Sequence, residues 1–140
     1  MSEKIYHKEL AAGGWKKLSL IEQMGNIGSE VGRSINWFKK GDKERFNIAF
    51  EKALELFDLT LDDVRWKGRK KEIARSREVF CTLLFDTELT DALIIELDSF
   101  DKYFLWFAIA ANERKYRARN YGSVRSSRPD SETEGLELFQ

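Results

Sequence analysis

The sequence predicts an all-α protein, a single-domain antiparallel four-helix bundle followed by a flexible polar carboxyl tail. Three observations carry that prediction. The 140-residue chain holds one proline, Pro129, so helices can run uninterrupted from about residue 15 to 120. Apolar residues recur at spacings of three, four and seven over that stretch, which aligns them along one side of a 3.6-residue helix. Residues that start and stop helices stand at the edges of the periodic segments.

The first helix is expected from Leu20 to Lys40. Ser19-Leu20-Ile21-Glu22 is a Ser-x-x-Glu capping box, and Gly41 is the stop. Leu20, Met24, Ile27, Val31 and Phe38 share one arc that faces the core. Beside it lie Gly25, Gly28 and Gly32, each of which costs a helix about 1 kcal/mol relative to alanine. Close approach of a neighbouring backbone offsets that cost. A phosphate-binding glycine loop is the alternative reading, but no strand precedes these glycines and the Lys-Ser/Thr ending of a P-loop is missing.

Asp42 caps a second helix, Lys43 to Asp63, with Phe46, Ala49, Phe50, Ala53, Leu54, Phe57 and Leu61 inward. A third, Lys67 to Asp86, buries Ile73, Phe80, Leu84 and Cys81. Residues 86 to 101 then hold six acids and no Lys or Arg, and read as an acidic link with a short helical turn over Ala92 to Leu97. Ser99 caps the fourth helix, which runs to Arg117. The expected organisation is an amino-terminal arm (1–18), a helical domain (19–117) and a tail (118–140).

The fourth helix is apolar most of the way round. Phe100, Tyr103, Phe104, Phe107 and Ala111 fill one face while Leu105, Trp106 and Ile109 occupy much of the other. Such a helix is either central in its fold or covered by another subunit. The subunit interface is the preferred reading, and it makes the chain a homo-oligomer.

Composition removes several classes of function. Twenty-four basic residues balance 24 acidic ones, so net charge gives no argument for nucleic-acid binding. One cysteine cannot form an internal disulfide, and the charged amino terminus lacks the apolar stretch of a secretory signal. The longest apolar run, Tyr103 to Ala111, is about half the length of a membrane span. A cytoplasmic protein with no membrane partner is expected.

Little chemistry is visible. His7 and Cys81 are the only soft metal ligands, too few for zinc, and His7 is read as a solvated residue without a nucleophile to serve. Glu51, Glu55, Asp58 and Asp62 share a helix face that could hold Mg²⁺, with Glu30 joining from the first helix. Glu55-x-x-Asp58 resembles half the carboxylate pattern of the all-helical nucleoside triphosphate pyrophosphatases. The other half is absent, because Ile27 stands three residues before Glu30. Arg77 falls among Ile73, Phe80, Cys81 and Leu84, and a guanidinium there calls for a carboxylate; Glu30 or Asp58 is the expected buried partner.

Two basic patches survive the neutral total. One comprises Arg65, Lys67, Arg69, Lys70, Lys71 and Arg75; the other comprises Arg114, Lys115, Arg117 and Arg119. With Trp66, Tyr116 and Tyr121 between them, they could hold a phosphate backbone and stack a base, or form ordinary solvated surface. The chain ends in Leu136-Glu137-Leu138-Phe139-Gln140. Leu136, Leu138 and Phe139 resemble the end of the Gln-Leu-x-Leu-Phe peptide by which bacterial polymerases and repair proteins hold the sliding clamp, with Gly135 in place of the glutamine. They mark either a protein partner or docking on the chain's own bundle.

The phrases Gly28-Ser29-Glu30-Val31-Gly32-Arg33, Ala53-Leu54-Glu55-Leu56-Phe57-Asp58-Leu59-Thr60, Arg75-Ser76-Arg77-Glu78-Val79 and Tyr103-Phe104-Leu105-Trp106-Phe107-Ala108 resemble a small family of bacterial and archaeal cytosolic helical proteins. That family brings a fold and a compartment but no established activity. A vaguer resemblance is to HEPN-type bundles, whose RNA-cleaving members carry an Arg-x(4 to 6)-His motif; no histidine follows residue 7 here. The resulting expectation is a non-enzymatic interaction module without a cofactor. The alternatives are a Mg²⁺-dependent pyrophosphatase-like hydrolase or a HEPN-like toxin or antitoxin-system protein lacking the usual motif.

Overall fold

The computed structural model describes residues 5–85 and 88–121. Among them the chain is all-α, with no strand. Four long helices follow one another: α1 (Leu20–Lys40), α2 (Lys43–Leu61), α3 (Lys70–Leu84) and α4 (Asp91–Tyr121). A π-type turn at Leu10–Gly14 and a 3-10 turn at Trp15–Lys17 precede them, and a 3-10 segment, Val64–Arg69, joins α2 to α3.

The ends of α1 and the start of α2 follow from local chemistry. The Glu22 amide donates to Ser19 Oγ while the Ser19 amide donates to Glu22 Oε1, both at 3.2 Å, completing the capping box. Gly41 adopts φ 73°, the left-handed geometry that lets its own amide and that of Asp42 close on the Phe38 and Trp37 carbonyls. The Asp42 carboxylate then accepts the Arg45 amide at 3.1 Å and opens α2.

Several boundaries differ from the sequence reading, the third helix ending at Leu84 rather than Asp86. The second helix stops at Leu61 rather than Asp63, and the third begins at Lys70 rather than Lys67. Asp63 turns its carboxylate onto the Arg65 amide, and Trp66 sits at φ −101°, ψ 24°, so the chain tightens into a 3-10 segment instead of continuing as α-helix. The supposed link over Ala92–Leu97 and the fourth helix are one helix of 31 residues. Thr90 is its cap, its hydroxyl accepting the Leu93 amide at 3.1 Å, and Ser99 lies well inside. Nothing between Asp91 and Tyr121 breaks a helix, and Leu93 and Leu97 continue the inward spacing of Phe100, Phe104 and Phe107. α4 therefore also extends past Ala118, where the tail was expected to start. The remainder of that tail, from residue 122, lies outside the described residues.

The core is built around α1, which packs on α2 along one side and on α4 along another. Met24, Ile27, Val31, Ala53, Leu56, Phe57, Ile73, Phe80, Leu97 and Phe104 are its buried centre. Phenylalanines knit the helices together: Phe50 stacks on Phe80 at 4.9 Å, and Phe57 meets Phe104 edge-on at 6.0 Å. The glycines of α1 lie against α4, where a β-carbon on Gly25 would stand 3.4 Å from the Ala108 Cα and one on Gly28 would stand 2.6 Å from the Phe104 Cβ. Backbone approach is what these glycines provide. Lys39 adds an ion pair to Asp98 at the far end of the same contact.

Candidate interaction surface

An extended polar arrangement joins residues 15–23 to residues 60–66. Trp15, 1% exposed, donates its indole N–H to Thr60 Oγ1 at 2.8 Å. The Gln23 amide nitrogen donates to the Trp15 carbonyl at 2.9 Å and to Asp63 Oδ2 at 3.1 Å, while its oxygen accepts the Trp66 indole N–H at 2.9 Å. Arg65 grips the buried Asp63 through Nε and Nη2, the shortest contact being 2.6 Å, and also donates to the Leu18 carbonyl at 2.8 Å. The Arg65 guanidinium holds the Asp63 carboxyl down at about 2. Every polar group named here has a partner, so the cluster fastens the amino-terminal turn to α1 and α2.

The acidic face of α2 is also occupied. Tyr6 donates its hydroxyl to Glu51 Oε2 at 2.5 Å, and the amides of Tyr6 and His7 donate to the two Glu55 oxygens at 2.9 and 2.7 Å. His7 Nδ1 lies 3.0 Å from Glu55 Oε1 with its side chain 19% exposed. His7 is thus docked rather than solvated. Among the described residues no three His, Cys, Asp or Glu side chains converge as a metal site, so the Mg²⁺ reading built on Glu30, Glu51, Glu55 and Asp58 has no geometric support.

The expected buried trio of Glu30, Asp58 and Arg77 is divided. Arg77 Nε donates to Asp58 Oδ1 at 3.0 Å, but the Asp58 side chain is 59% exposed, so this is a surface bridge between α3 and α2. Arg77 escapes burial because its long stem reaches past the core-facing side of α3 to water. Glu30 is buried and belongs elsewhere, its Oε1 accepting Arg33 Nη1 at 2.8 Å within α1.

The first basic patch loses Arg65 to the structural cluster and keeps Lys67, Lys70, Lys71 and Arg75 exposed, with Arg69 half-buried. In the second, Arg117 and Arg119 are exposed and Arg114 is half-buried; Lys115 lies on the same helix. Leu136, Leu138 and Phe139 lie outside the described residues.

Leu105, Trp106 and Ile109 face outward. They are 55%, 63% and 41% exposed, which removes the alternative of a central α4. Ile95 and Tyr116, exposed at 68% and 66%, extend the same surface along the helix. Ile95 escaped the sequence reading because it fell in the supposed acidic link. At its side, a groove of about 610 Å³ between α3 and α4 is lined by Val79, Leu83, Ile95, Phe100 and Tyr103 among others, and burial there pushes the Tyr103 hydroxyl up. The apolar surface therefore spills from α4 onto α3. Among the described residues, no helix is long and apolar enough to cross a membrane. No family model, curated protein or solved structure matches this chain.

Proposed function

We propose that the chain is a non-enzymatic interaction module, a single-domain antiparallel four-helix bundle in the cytoplasm that works as a homo-oligomer joined through α4. The observation that carries this reading is the exposed apolar band of Ile95, Leu105, Trp106 and Ile109 on a helix whose opposite side is already buried in the core. Large apolar side chains exposed on one face are costly to leave in water and mark an association surface. The polar clusters support the same reading, since their groups are used up in fastening the fold.

Light scattering on the full chain tests it. A mass above the 16.4 kDa of one chain is expected, falling towards it on dilution, and Trp106→Glu should shift the equilibrium to the single chain. A single-chain mass at every concentration would reject the reading.

Contact with nucleic acid is a second reading, favoured by the exposed Lys67, Lys70, Lys71 and Arg75 at the start of α3. A retardation assay should show binding that weakens steeply with salt and is lost in the Lys70→Glu, Lys71→Glu double variant.

A further inference from the structure

The groove between α3 and α4 changes character along its length. The two helices run antiparallel, with Phe80 stacked on Phe100 at 6.2 Å and Ser76 beside Tyr103 one turn further on. The half of α4 that ends at Tyr121 therefore lies towards the start of α3. From that end the groove has first a basic margin, where Lys70, Lys71 and Arg75 are exposed with only Glu72 among them. Its walls are then apolar, formed by Val79 and Leu83 of α3 and Ile95 of α4.

The sequence beyond Tyr121 carries the complementary order. After Arg128 it holds no further Lys or Arg; Asp130, Glu132 and Glu134 come first, and Leu136, Leu138 and Phe139 follow. We infer that this stretch turns back from the end of α4 and lies in the α3–α4 groove of its own chain. Its acids then meet Lys70, Lys71 and Arg75, and its apolar residues meet Val79, Leu83 and Ile95. The inference does not rest on self-association, since none of Leu105, Trp106 and Ile109 lines the groove.

Reach and charge set the course. Tyr121 lies about 27 Å along α4 from Tyr103 and about 39 Å from Ile95. The residues from Tyr121 to Leu136 span up to about 50 Å when extended, so the apolar residues reach the upper groove without the chain being drawn taut. The reverse course would set Asp130, Glu132 and Glu134 beside the exposed Glu78 and Glu96, acid on acid, and would leave Lys70 and Lys71 opposite apolar side chains. Docking within one chain also closes a loop instead of joining two molecules. A short apolar motif that would bind weakly as a free peptide is thereby held at high effective concentration.

The test uses the full chain in a Cys81→Ser background and follows the reaction of one new cysteine with a neutral maleimide. Ser99→Cys reports from the α4 wall of the groove and Val79→Cys from the α3 wall. Leu136→Ser, Leu138→Ser and Phe139→Ser together should leave the helical circular dichroism unchanged and speed labelling at both positions by about fivefold or more. Lys71→Glu should speed it by about two- to fivefold, and adding Glu134→Lys should slow it again. The rates should not depend on protein concentration. Equal labelling with and without the three serines would overturn the inference, whether the groove reacts as fast as the urea-unfolded chain or stays covered by another segment. Protection that grows with protein concentration would overturn it in favour of a second copy in the groove. Opening by the serines that Lys71→Glu leaves unmoved would overturn the course along α3.

Discussion

Gly28 and Phe104 touch so closely that a β-carbon on the glycine would stand 2.6 Å from the Cβ of the phenylalanine. The obstructing atom is anchored to the α4 backbone, so the conflict is relieved only by moving one helix off the other. Gly28→Ala is therefore expected to destabilise by about 1–3 kcal/mol, net of the helix propensity it gains. At Gly32 the nearest neighbour is the Asp101 Oδ1 at 3.3 Å, the tip of a side chain that can turn aside. Gly32→Ala should be neutral or stabilising by up to about 1 kcal/mol. Urea melts of the two variants check the contrast, and equal effects would refute the close-approach account of the glycines.

The Asp63 carboxyl, held at about 2 against an ordinary 3.8, makes the fold sensitive to acid in a defined window. A carboxyl whose pKa is lower in the folded chain than in the unfolded one stabilises the fold above the unfolded value. That contribution, about 2 kcal/mol, is lost as pH falls from about 4 towards 2. Asp63→Asn should lower stability at neutral pH by a comparable amount and flatten its pH dependence in that window. Thermal melts through the acid range measure both. An unchanged acid limb in the variant would assign the acid sensitivity to other carboxylates.

Trp15 belongs to a segment that reads from sequence as an arm ahead of the domain, yet it is among the most buried side chains. Trp15→Ala should cost about 3–5 kcal/mol, while Trp15→Phe, which keeps the ring and leaves Thr60 Oγ1 without its indole donor, should cost about 1–2 kcal/mol. Denaturant midpoints of the two variants separate packing from hydrogen bonding. A loss of under about 1 kcal/mol in the alanine variant would contradict the burial.

These residues also show where the sequence was legible. The limits of α1 could be read because Ser19, Glu22 and Gly41 act on backbone atoms within three or four residues of themselves. The role of Gly28 was readable as a cost requiring an offset, though not which helix supplied it. The cluster of Trp15, Gln23, Thr60 and Asp63 was not readable, because its side-chain partners lie 40 to 45 positions apart and no local spacing links them. The start of α4 was lost for a different reason. Six acids suggested a solvated link, while Leu93 and Leu97, the two residues that hold that stretch in the core, were too few to reveal the period alone. Leu105, Trp106 and Ile109 were recognised as an unusual face, but periodicity does not distinguish a helix surrounded by its own chain from one awaiting another.

Tryptophan emission turns that last distinction into a measurement. Of the four tryptophans, Trp15 is buried, Trp37 and Trp66 are half-buried, and Trp106 is 63% exposed in the single chain. If a second copy covers α4, the indole of Trp106 moves from an apolar contact into water as the oligomer dissociates. Emission should shift to the red on dilution, in step with the fall in mass. Trp106→Phe keeps an apolar ring on that face and should retain most of the association while abolishing the shift. Emission that stays constant while the mass falls would place the contact on some other face of the protein.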